Sequence, residues 1–124
     1  MPNPLIEVCV DSACGLAAAI EGGADRIELC AALSVGGLTP SPGMLTIAAS
    51  SAVPVYAMIR PRDGDFVYGP GEVTQMLGDI RAVREAGLAG VVLGANRADG
   101  RLDTAVLREL RDAAHGMGQT LHRA

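Results

Sequence analysis

The chain reads as an α/β protein of the TIM (β/α)8 barrel type, carried as about five parallel strands and four helices. Three observations predict this. Segments of period two and period 3.6 alternate from end to end. Strand starts near 5, 26, 55, 90 and 119 recur at intervals close to the roughly 31 residues of a barrel unit. The first two strands carry acid and thiol on one face only, whereas a strand buried on both sides of a doubly wound sheet is apolar throughout.

The elements follow in order. "LIEVCVD" is a strand. "SACGLAAAIEGGA" is a helix with Ser12 as N-cap, Leu16 and Ile20 on one face and glycine as its stop. "RIELCA" is the second strand. After the loop "AALSVGGLTPSPG", a short helix is predicted from about Pro42 to Ser51, with Ser41 as cap and Pro42 at its first position. "VPVYAMIR" is the third strand. The loop "PRDGDFVYGPG" leads to "EVTQMLGDIRAVREAG", in which Val73, Met76, Leu77, Ile80 and Val83 form a helical stripe. "GVVLGA" is the fourth strand. Asp103 caps a fourth helix marked by Val106, Leu107, Leu110, Ala113, Ala114 and Met117, and "QTLHRA" opens a fifth strand.

A chain of 124 residues makes one domain, 1–124, read as a partial barrel. Five strands cannot close a barrel. The expectation is therefore the N-terminal half of a longer protein; the alternatives are a chain that associates to cover its edges or a fragment with no function of its own. Two tyrosines and one phenylalanine leave the core to Val, Leu, Ile and Ala. All ten basic residues are arginine, net charge is −4, and no basic run marks a nucleic-acid surface. "MPNPLIEV" lacks the pattern of a secretory signal, and acids punctuate every apolar stretch, so no membrane span is expected. Three cysteines, an odd number, read as reduced thiols in a cytoplasmic protein.

Side chains alternate along a strand. Glu7, Cys9 and Asp11 share one face of the first strand, and Glu28 and Cys30 share one face of the second. The opposite sets, Ile6, Val8, Val10 and Ile27, Leu29, are apolar and suit packing under helices, so the acid–thiol sets point into the barrel. Tyr56, Met58 and Arg60 share a face of the third strand, which brings a thioether toward the thiols and a guanidinium toward the glutamates. Two thiols with a thioether are soft ligands that favour Cu(I) over Mg²⁺ or Ca²⁺. Cys9 and Cys30 equally suit a role as small buried hydrophobes, and Cys14 reads as helix packing. Glu7 and Glu28 read either as a general acid–base pair or as internal partners of Arg60 and Arg26. "RPRDGDF" follows a strand end, where barrel enzymes keep their chemistry. Its Arg60, Arg62 and Asp65, with Arg123 and His122 on the fifth strand, compose the alternative function: an enzyme acting on a small anionic metabolite, with Glu28 or His122 as general acid–base.

Together, "EVCVDS", "GGADRIELC", "GGLTPS", "IRPRDGDF" and "HRA" resemble the CutC copper-homeostasis family, in its order and spacing along essentially the whole chain. The resemblance implies a TIM-type barrel, a cytoplasmic location, homo-oligomers for the full-length protein, and copper handling with Cu(I) held by barrel cysteines. Residue by residue, that falls on Cys9 and Cys30, with Met58 as a weak third ligand and Glu7, Glu28 and Arg60 around them. It implies no catalytic activity. Two departures stand out. Asp63 replaces the second glycine of the family's "RPRGGDF" pattern. "GPG" at 69–71 replaces a Ser–Asp cap, so the third helix is expected to start late or fray.

Overall fold

The computed structural model describes residues 3–122. Strands β1 (Glu7–Val10), β2 (Arg26–Leu29), β3 (Val55–Met58), β4 (Gly90–Leu93) and β5 (Gly118–Leu121) alternate with helices α1 (Ala13–Glu21), α2 (Pro42–Ala48), α3 (Pro70–Ala86) and α4 (Thr104–Ala113). A short 3-10 turn, Leu33–Val35, interrupts the second loop. All neighbouring strands pair in parallel, and the sheet order is β1-β2-β3-β4-β5. A doubly wound sheet reverses its order at a switch point. Here the order never reverses, so successive right-handed crossovers stack every helix on one side, as in a barrel wall.

Burial follows strand parity. Val10, Ile27, Leu29, Val55, Ala57, Val91 and Leu93 join Leu16, Leu45, Met76, Ile80, Val83 and Leu110 in one core between sheet and helices. The other face holds a separate cluster of Cys30, Met58 and Val92, backed by Tyr56 and Leu33, with no residue of α1 to α4. That is the concave face, and it carries the predicted acid–thiol sets.

Local signals place the helices. Ser12 accepts from the Gly15 N–H at 2.9 Å, Ser41 from Met44 at 3.2 Å and Asp103 from Val106 at 3.1 Å, each satisfying an amide that the helix itself cannot. The expected late start of α3 is not found. Gly69 is its N-cap and Pro70 its first residue, because the Glu72 carboxylate reaches back to the Gly69 N–H at 3.0 Å and supplies the missing cap. Cys14 is also not packed. Leu16 is the buried residue of α1, and a position two residues earlier lies on the opposite side of the helix, so the thiol is exposed.

Candidate metal centre

The register sets the levels of the concave face. Cys9 sits opposite Glu28, Glu28 opposite Tyr56, Tyr56 opposite Gly90, and Gly90 opposite Gly118. Cys30 lies one step further along, with Met58 and Val92. The two thiols are therefore diagonal neighbours on adjacent strands rather than a cross-strand pair. The Cys9 Sγ donates to Glu28 Oε2 at 2.6 Å and is exposed, whereas Cys30 is 1% exposed. The backbone at Gly37, with φ at +97°, presses so close to Cys30 that an added Cβ would lie 3.0 Å from its sulfur. Only glycine combines that approach with a left-handed backbone.

Burial, with the neighbouring acids behind it, holds both thiols protonated. Burial, the Glu28 hydrogen bond and the Glu28 and Glu7 charges push Cys9 up to about 12. Burial acts first on Cys30 too, then Glu28, Cys9, Asp11 and Glu7, and the thiol again rises to about 12. Neither is a ready nucleophile at neutral pH.

The glutamates split their partners. Glu7 pairs with Arg26 at 2.5 Å, as one expectation held, and the Arg26 guanidinium lies 4.6 Å from the centre of the Tyr56 ring. Glu28 is taken by Cys9. The expectation that Arg60 joins the glutamates is overturned. β3 ends at Met58, so Arg60 stands beyond the strand and bends into the loops. Its Nη1 donates to the carbonyls of Val35 at 2.7 Å and Gly37 at 3.2 Å, and its Nη2 to Gly64 at 3.0 Å. Arg60 thereby straps the loop that covers Cys30.

Arg62 and Asp65 do not form an anion clamp with Arg60. Arg62 pairs with Glu72 and with Asp65 at 3.1 Å, and donates to the carbonyls of Asp63, Asp65 and Val67. Its donors are spent on the loop and on the cap of α3. The Val67 N–H and then Arg62 hold Asp65 below the usual carboxylate range; the Gly69 N–H and then Arg62 do the same for Glu72. His122 lies on the concave side, its ring against Gly94 and 5.2 Å from Phe66. Arg123 lies outside the described residues. Asn96 and Phe66, which stand with His122 beside the strand ends, escaped sequence reasoning. "GAN" directly after β4 and two of the chain's three aromatics in one loop were the available signals.

Among the described residues, no group of three or more His, Cys, Asp and Glu side chains is arranged to hold a metal ion. A hard or tetrahedral site is therefore not built. What is built is a pair of thiols and a thioether on one face, a donor set that suits a soft monovalent cation.

Fold and site together define a parallel-sheet barrel protein with a sulfur-bearing concave face. The family model described as the CutC family matches residues 4–124, and the chain belongs to that family. It is 64% identical over 124 residues to a family protein CutC of Sinorhizobium medicae, covering 100% of this chain and 51% of the relative. It is 59% identical over 120 residues to one of Caulobacter vibrioides, covering 97% and 49%. The chain thus spans about half the length of these curated relatives. A crystal structure described as a candidate copper homeostasis protein CutC of Streptococcus agalactiae superposes with a TM-score of 0.88 at 31% identity, over 96% of this chain and 59% of that one. A second structure, described as PhdJ bound to a substrate intermediate, has a TM-score of 0.59 over 94% of this chain and 42% of that one. At 14% identity it speaks for the fold alone.

Proposed function

We propose that the chain serves copper homeostasis as part of a CutC-type protein, taking up Cu(I) as cargo through Cys9 and Cys30. Membership in the family supports the copper relation. The observation that carries the site is the sulfur cluster itself: Cys30 packs against Met58 on the concave face, and Cys9 stands on the same face of the adjacent strand. Thiolates and thioethers select Cu(I), and two suffice for an ion that accepts few ligands.

The acids then acquire a purpose. Each thiol must lose a proton to bind, and Glu28, which accepts the Cys9 hydrogen bond, is placed to take one. With a cation between the sulfurs, the charges of Glu7, Glu28 and Asp11 that now oppose thiolate formation become favourable. Met58 serves as a weak third donor. Arg60 acts at one remove, by holding the Gly37 loop against Cys30. No helix among the described residues is long and apolar enough to cross a membrane. A cytoplasmic place and assembly of the full-length protein into homo-oligomers belong to the same proposal.

Competition for Cu(I) against a chromogenic chelator tests it. Cys9→Ser with Cys30→Ser should abolish uptake, while Cys14→Ser, which alters only the thiol on α1, should leave it intact. Unchanged stoichiometry in the double variant would refute the proposal.

A further inference from the structure

The C-terminal ends of β3, β4 and β5 carry a second group of side chains, of which the thiol site draws on Arg60 alone, through its contacts to the Gly37 loop. Arg60 is 7% exposed, and its charge is permanent. Its Nη atoms reach only neutral carbonyls, and its Nε–H is buried without a partner. Among the described residues no carboxylate forms a salt bridge with it; the four such pairs engage Arg26, Arg62 and Arg111. A buried charge with no opposite charge is costly, and backbone dipoles offset only part of that cost.

Two more buried atoms with unused hydrogen-bonding capacity stand on the same strand ends: Nε2 of His122 and Oδ1 of Asn96. Phe66 ties them together. Its ring lies 4.9 Å from the Arg60 guanidinium and 5.2 Å from the His122 ring, and its carbonyl accepts the Asn96 N–H at 2.8 Å. Native interiors leave few such atoms, and a cluster of them calls for a reason. Burial and the nearby Arg60 charge favour a neutral His122. The set is therefore one cation among neutral donors and acceptors.

We propose that this cluster is a binding site for a small molecule bearing an oxyanion, a carboxylate or a phosphate. Arg60 supplies the charge, through the Nε–H left free by its loop contacts. His122 donates from Nε2 to the oxygens, and Asn96 accepts through Oδ1 from a hydroxyl or amide carried beside them. Phe66 covers the site, and its half-buried ring is displaced when the anion enters. Arg62 takes no part, because Asp65 and Glu72 already neutralise it.

The test is titration of the whole chain with inorganic phosphate and with acetate at constant ionic strength, with chloride as control, followed by the NMR shifts of the Phe66 and Asn96 amides. A saturable shift with either ion, absent with chloride, is expected, and which ion gives it distinguishes phosphate from carboxylate recognition. Phe66→Ala should tighten binding, and Arg60→Gln and His122→Gln should each weaken it about tenfold or more. Cys9→Ser with Cys30→Ser should leave it unchanged, which separates this site from the copper reading. No saturable shift with either ion would overturn the proposal. Should Arg60→Gln fail to fold, His122→Gln and Asn96→Ala decide, and affinity unchanged in both would overturn it equally.

Discussion

Along β1 and β2 the concave face is acidic and bears sulfur; at the C-terminal ends of β3 to β5 it is cationic and aromatic. In the first region burial, then the charges of Glu28 and Glu7, with Asp11 at Cys30, keep the protons on two thiols. In the second, Arg60 is buried among carbonyls and rings with no carboxylate partner among the described residues. Tyr56 lies level with Cys9 and Glu28, below both Cys30 and Arg60. Its ring carries the Arg26 guanidinium on one side and fills the space above Gly90 and Gly118, where no side chain competes. The contrast teaches that one sheet face can keep opposite charges apart. An acid that reached Arg60 would neutralise the mouth, and a guanidinium that reached Glu28 would remove the acceptor beside Cys9.

The largest effect should come from crowding Tyr56. At Gly90 an added Cβ would lie 2.5 Å from the Gly118 carbonyl oxygen and 2.8 Å from the Tyr56 ring, and the backbone oxygen has nowhere to go. Gly90→Ala should therefore cost about 3 kcal/mol in chemical denaturation, at the upper end for overpacking. Arg60→Met should cost about 2 kcal/mol, since three carbonyls lose a charged donor while the burden of the buried charge is lifted. It should also raise the labelling rate of Cys30 by loosening the Gly37 loop, which mass spectrometry can follow.

Smaller changes sharpen the acidic region. Glu28→Gln removes a hydrogen bond and a charge from Cys9 and a charge from Cys30. Both thiols should then titrate below their present value of about 12 by ultraviolet thiolate absorbance, though burial keeps them above an ordinary cysteine. The sign of the stability effect follows. Between pH 9.0, the ordinary thiol value, and about 12, the folded chain retains protons that the unfolded chain has lost. The contribution is fully present below pH 9.0 and drains away as pH rises toward about 12. Cys9→Ser with Cys30→Ser should flatten that limb relative to the natural chain. The smallest effect in the series should be Glu72→Gln, because the Arg62 network is exposed and its ion pairs are screened. A slight fall in Tm with no change at either thiol is the expected outcome.

Much of this was legible in the residues. Alternation of acid and apolar side chains in "EVCV" and "RIEL" assigned the faces of β1 and β2, because parity is a local property of an extended chain. The stripe from Val73 to Val83 and the caps Ser12, Ser41 and Asp103 were equally local. What failed depended on where a long side chain ends. Arg60 shares the parity of Met58, but its guanidinium sits several bonds away and goes to the nearest accessible carbonyls rather than to Glu7 or Glu28. Arg62, two residues on, finds two carboxylates only because α3 begins at Pro70 and brings Glu72 back toward the loop. Cys14 was misjudged for a simpler reason: an alanine-rich helix offers no strong apolar stripe from which to read its inner face.

The sequence by itself determined the alternation of strands and helices, the parity of the sulfurs and acids, and membership in the CutC family. Each of these is written in short-range periodicity or in motifs that survive without coordinates. Tertiary structure alone decided that Cys9 and Cys30 are diagonal rather than opposed, that Cys30 is sealed beneath Gly37, and that Arg60, Asn96 and His122 gather around Phe66. Those outcomes turn on strand register and loop closure. They balance contacts between segments tens of residues apart, and no local pattern in the chain encodes that balance.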